Sequence, residues 1–322
     1  MKQRILWIDW MKVLGMLAIV YGHFKSSYYE FAYVFSVPLF FAISGFLSKI
    51  ELSNHTFLKK VFWNLIIPML GISIINYCIE IICNGISLSP ISFVVNFLLG
   101  MHDALRELWF VYTLIILKGI LQYGKNIKLL IACIPIALLI AWALDNYDIT
   151  LFGKHVLKMH SAILSVFLAY PFFIMGYFLK NERKLLAIRK DKIRMGLLML
   201  CSAIGVYLCS QYNDCVWMVN HEFGGNIFYF LIGSICGIVL VYILARMLED
   251  IKWHFIIDLS TGMILILGFQ MQFITLICRY IHICGGGVET LIASVIVMLI
   301  FIPIIKLAER YCPYLMGKYR IN

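Results

Sequence analysis

Two ionisable side chains stand eleven residues apart in the first apolar stretch of the chain, Lys12 and His23. Charged groups in hydrocarbon are costly, so function is the first reading for them. On an α-helix eleven residues make about three turns and advance about 16 Å, so both side chains project from nearly one face and line one path. The residue types suit group transfer. His is the side chain whose ordinary pKa lets it take and return a proton near neutrality. Lys offers a point charge that attracts phosphate or stabilises developing negative charge. Asp9 lies three residues before Lys12, the spacing of an ion pair that would orient the lysine. A structural reading competes: an Asp9–Lys12 pair near one membrane face, Lys12 snorkelling to the headgroups, and His23 in the opposite interface.

The elements that must position these groups are membrane helices. The chain is 62% hydrophobic and 14% charged, with a mean hydropathy of +0.91, well above a soluble domain. The sequence predicts an all-α, polytopic membrane protein around a central cavity, with residues 1–322 as one membrane domain. Ten spans are expected, near residues 8–24, 29–49, 61–83, 105–121, 127–144, 161–179, 194–210, 226–245, 256–278 and 288–307. Strands of a β-barrel would be half as long and alternating, and that pattern is absent. One set of connections and termini carries 21 basic residues and the opposite set five, which places both termini in the cytoplasm of a cell (inner or plasma) membrane protein. No cleavable leader is expected, because Asp9 and Lys12 interrupt the first apolar run.

The net charge of +10 sits on connections beside spans, where anionic lipid headgroups are its simplest partner; no nucleic-acid groove is expected. The ten cysteines fall mostly inside apolar spans and none shows C-x-x-C spacing, so no metal site is expected. Cys278 and Cys284 are the one pair placed to join in an oxidising compartment. Glu80 is the one carboxylate clearly inside a later span, expected to neutralise a cation or face water. His102-Asp103, Arg106-Glu107 and His221-Glu222 read as solvated outer connections, and the seven basic residues of 180–194 as topology determinants.

Four short motifs occur in a fixed order: Lys12 to His23; Pro38-x-Phe40-Phe41-x-x-Ser44-Gly45-Phe46; Lys59-Lys60 followed by Ile67-Pro68; and Leu108-Trp109-Phe110-Val111. Together they resemble the acyltransferase 3 family of integral-membrane acyltransferases, especially its stand-alone sugar O-acetyltransferases, over most of the chain. The resemblance implies acetyl transfer from acetyl-CoA, as donor and not as a tightly held cofactor, to a hydroxyl of a surface polysaccharide or glycolipid precursor. His23 would be the general base, or the carrier of an acetyl intermediate, with Lys12 toward the donor phosphates and Asp9 orienting it. Trp109, Ser44 and Gln270 are implied substrate contacts. Three positions depart from the family pattern: Lys12 replaces Arg, and Ser36 and Gln270 replace His. The competing functions are a transporter or flippase of a polyprenyl-linked sugar, which would show repeat symmetry not evident here, a membrane-bound O-acyltransferase of the separate family, and a polysaccharide polymerase, which would carry a larger outer loop. Nothing in the residue pattern specifies an oligomeric state.

Overall fold

The computed structural model describes residues 4–25, 27–85, 88–146, 150–151, 154–155, 161–180, 191–281 and 286–318. Cys284, and residues 181–190 of the basic cluster, lie outside them.

Helix α1 (Leu6–His23) carries the Lys12–His23 pair, and α2 (Tyr29–Tyr33) with α3 (Ser36–Leu47) form the second span. The third is α4 (Asn54–Val61), a π-turn over Phe62–Ile66, and α5 (Ile67–Asn84). Short helices α6 (Pro90–Leu98) and α7 (His102–Leu105) lead to α8 (Trp109–Gly124). Then come α9 (Ile127–Ala132), α10 (Ile134–Asn146), α11 (Ser165–Leu179), α12 (Lys192–Tyr212), α13 (Ile227–Leu248), α14 (His254–Thr261), α15 (Met263–Ile281) and α16 (Gly287–Tyr311). Among the described residues the strands are one minimal hairpin, Thr150–Leu151 with Lys154–His155. The protein is all-α and polytopic.

Among the described residues, seven helical segments are long and apolar enough to cross a membrane. The remaining three expected spans are helical but fall short of that measure. α8 and α11 have 16 and 15 residues. α1 has 18 but holds Asp9, Lys12 and His23, which lower its hydropathy. It is nonetheless central, packing on α2, α3, α13, α14, α15 and α16.

Proline decides where the second span breaks. Pro38 falls in the first turn of α3, and its missing N–H leaves the Val34 carbonyl without its helical donor. The Ser234 hydroxyl of α13 donates to that carbonyl at 2.7 Å, deep in the core, where an unmet carbonyl costs several kcal/mol, of order 2–7. Gly45 and Gly176 fix the other side of this span. A Cβ on Gly45 would overlap the Phe173 carbonyl, and one on Gly176 would overlap the Ala42 carbonyl, so α3 and α11 touch backbone to backbone. This tight crossing turns the α3 face bearing Val37, Phe40 and Ser44 toward a cavity.

Candidate active site

The cavity has a volume of about 590 Å³, within the range of small-molecule sites, and runs along one face of α1. Lys12, Met16, Ile19 and His23 all line it, the face that helical spacing predicts. Ser44 and Trp109 line it as well. Trp109 is not a lipid-facing belt residue: it is 6% exposed and packs on Phe41, with ring centroids 6.4 Å apart.

Two of the expected site residues lie elsewhere. Asp9 does not reach Lys12. Its carboxylate is gripped by Arg4, whose Nε donates at 2.6 Å and Nη2 at 3.1 Å, and by the hydroxyl of Ser260 on α14. Arg4 wins because its planar fork matches both carboxylate oxygens, which the point charge of Lys12 cannot do. Lys12 therefore enters the cavity with no hydrogen bond or ion pair among the described residues. Gln270 is wholly buried off the cavity wall, although its neighbours Leu267 and Met271 line it, and neither amide atom has a partner among the described residues. Ser36 is also wholly buried, its hydroxyl without a partner among the described residues. Both positions where the family pattern places His are thus sealed in the packing.

At the other end, His23 is gripped on both ring nitrogens. Nδ1 lies 2.7 Å from the Ile19 carbonyl, an acceptor, so Nδ1 carries a proton and donates. Nε2 is the nitrogen left to exchange a proton, and it lies 3.2 Å from Glu107 Oε2. Sequence reading placed Glu107 in a solvated connection; its side chain is 17% exposed, facing His23 and the cavity. The backbone explains how it gets there. Arg106, the preceding residue, has φ 47° and ψ −130°, a conformation that side chains rarely adopt and that costs about 1–3 kcal/mol. Its guanidinium is pinned at 2.8 Å by Glu80 of α5, so Glu80 takes the cation-neutralising role. The pinned turn delivers Glu107 to the histidine.

The cavity also contains a cation that is not among the expected site residues. Lys118 of α8 lines the cavity, like Lys12, and its Nζ donates to Ser48 Oγ at 3.0 Å. Ser48 Oγ in turn donates to the Ser44 carbonyl at 2.7 Å, and Lys180 Nζ donates to the Ser48 carbonyl at 2.6 Å. The C-terminus of α3, the negative end of its dipole, thus holds two lysines. Asn64, from the π-turn, and Ser260 and Thr261 add further polar groups to the lining. Among the described residues no cluster of His, Cys, Asp and Glu forms a metal site.

Residues 5–307 match the sequence model of the family described as acyltransferase domain, acyltransferase 3. No curated protein and no solved structure matches the chain.

Proposed function

Starting from a chain that belongs to the acyltransferase 3 family and is therefore a membrane acyltransferase, we propose that it carries acetyl groups from acetyl-CoA to a hydroxyl of a surface-polysaccharide or glycolipid precursor. The observation that supports this reading most is one cavity with Lys12 at one end and the His23–Glu107 pair at the other. The two ends are about 16 Å apart on the helix, too far to act on the same atoms. They suit opposite ends of an elongated thioester.

The charge bias puts both termini in the cytoplasm of the cell membrane, so the Lys12 end faces the donor pool. Lys12 and Lys118 attract the CoA phosphates, and the acetyl thioester extends toward His23. His23 acts as base in its neutral form, with its remaining proton on Nδ1 toward Ile19: the acceptor hydroxyl takes the place of the Glu107 contact at Nε2 and gives up its proton there as its oxygen attacks the thioester carbonyl. The imidazolium so formed is stabilised by the Glu107 carboxylate and returns its proton to the leaving thiolate. An acetyl-His23 intermediate uses the same residues in two steps. Asp9 acts at a distance, holding Arg4 and Ser260 in place beside the Lys12 end. Trp109 and Ser44 shape the wall between the two ends; Gln270 takes no part in binding, being sealed in the packing.

The test is acetyl-CoA turnover by the purified protein in lipid, with and without a polysaccharide-precursor extract, in parent and His23→Ala proteins. Extract-dependent CoA release that vanishes in the variant is the expected result. Movement of sugar-lipid across the bilayer without CoA release would replace this reading with transport.

A further inference from the structure

Beyond His23 the cavity wall changes character, and we propose that this end is the acceptor subsite, a seat for one pyranose ring stacked on Trp217 with Asn220 and Lys25 at its edge. The proposal rests on the transferase reading above and specifies its acceptor class. Trp217 and Asn220 belong to the connection between α12 and α13, and both line the cavity together with Tyr33 and Lys25.

That connection is a built platform. Trp217 and Glu222 exchange backbone hydrogen bonds at 3.0 and 3.2 Å, closing the turn that contains Asn220. Ser165 of α11 donates its hydroxyl to the Met218 carbonyl at 3.0 Å and lies 3.3 Å from Nδ1 of His221. His221, read from sequence as solvated, is 2% exposed and has φ 69°. Asn213 braces the far side, donating to the Phe223 carbonyl and accepting from the Asn226 amide, each at 2.8 Å. A ligand meets a preformed surface there and pays little to order it.

The platform is contiguous with the proposed base. The Trp217 ring packs on Tyr33 with centroids 5.2 Å apart, and Tyr33 meets His23 edge to face at 6.0 Å. Gly22 makes room for this: a Cβ there would lie 2.9 Å from the Tyr33 ring. Lys25 follows His23 by two residues, its amide returning to the Gly22 carbonyl at 3.0 Å and its ammonium lying 4.8 Å from the Trp217 centroid.

The chemistry of these groups selects the ligand. An aromatic face is electron-rich and attracts polarised C–H groups, while amide and ammonium groups at its rim hydrogen-bond hydroxyls. A pyranose has that double character, a face of C–H bonds with hydroxyls around its edge. The ammonium over Trp217 marks the face as open to a positively polarised partner, and an exposed cation–π contact of about 0.5–1 kcal/mol is readily exchanged. An acyl chain would instead suit the separate groove of about 240 Å³ bounded by Trp7, Phe46, Leu198 and Tyr242, which is lined almost wholly by carbon.

The test uses the full-length His23→Ala protein in lipid nanodiscs, titrated calorimetrically with the methyl glycosides of glucose, galactose and N-acetylglucosamine, and with sorbitol as an open-chain polyol. At least one glycoside is expected to bind and sorbitol to fail. Adding Trp217→Ala is expected to weaken binding about tenfold, and Trp217→Phe, which keeps a flat ring, by about threefold or less. Asn220→Ala provides the second reading should Trp217→Ala fail to fold, with a severalfold loss expected. Absence of glycoside binding, equal binding of sorbitol, or full-strength binding by the folded substituted proteins overturns the subsite. The transferase reading is decided apart from it by CoA release in the parent. Sugar binding without CoA release would leave the subsite and remove transfer; CoA release with an acceptor KM unmoved by Trp217→Ala would do the reverse.

Discussion

The two ends of the cavity treat charge in opposite ways. At the His23 end the groups proposed to handle the proton are paired: His23 faces Glu107, and Arg106, which positions Glu107, is pinned by Glu80, while Lys25 lies over the Trp217 ring. At the Lys12 end, Lys12 has no ion-pair partner among the described residues, and Lys118 touches only a hydroxyl there within hydrogen-bond distance. A paired, partly buried charge is fixed in place, which suits a group that must exchange a proton along one direction. An unpaired cation in a low-dielectric wall has its electrostatic potential to give to whatever enters. This contrast supports the proposed roles, proton chemistry at the first end and anion capture at the second.

The sharpest way to break this comparison is at His23. His23→Ala is expected to lower acetyl transfer by about 10²–10⁴-fold with donor KM little changed, measured as acceptor-dependent CoA release. If donor KM rises instead, His23 is a binding group and the contrast collapses. Glu107→Gln keeps shape but removes the carboxylate charge, and a fall in kcat of about 10–100-fold is expected, the worth of a charge-assisted hydrogen bond. At the opposite end, Lys12→Met is expected to raise the KM for acetyl-CoA about tenfold and to flatten its dependence on salt, whereas Lys12→Arg keeps both; initial rates across ionic strength report this. A drop in kcat alone would move Lys12 to the chemical step. The smallest effect is expected from Glu80→Gln, which loosens the grip on Arg106 without touching the cavity. A loss of about threefold to tenfold in kcat should appear, with donor and acceptor KM held. Combining it with Glu107→Gln should add almost nothing, because both changes act through one carboxylate; additive losses would show that Glu80 works some other way.

Particular residues show how far the chain could be read without its fold. The Lys12–His23 face was legible because it depends on helical periodicity alone, whereas the partner that α3 meets through Gly45 is set by the packing of α11. Glu107 was missed: its route to His23 passes through the strained backbone of Arg106 and an ion pair with Glu80, 26 residues earlier in the chain. Lys118 is not legible as a site residue because it falls near the end of the span expected at 105–121, where a lysine reads as a charge beside the adjoining connection, and only the packing of α8 turns it to the cavity. The direct bonds of Asp9 go to Arg4 and not to Lys12, because i,i+3 spacing competes poorly with the planar fork of Arg4.

The sequence by itself determined the membrane class, the helical segments and the face on which Lys12 and His23 lie, since burial of apolar runs and the 3.6-residue period are local properties. The tertiary structure decided which charges meet. It gave His23 a carboxylate from another helix, left Lys12 without one, and sealed Gln270 away from the cavity. Electrostatic pairing depends on distances of a few ångströms between segments far apart in the chain, and packing alone sets those distances.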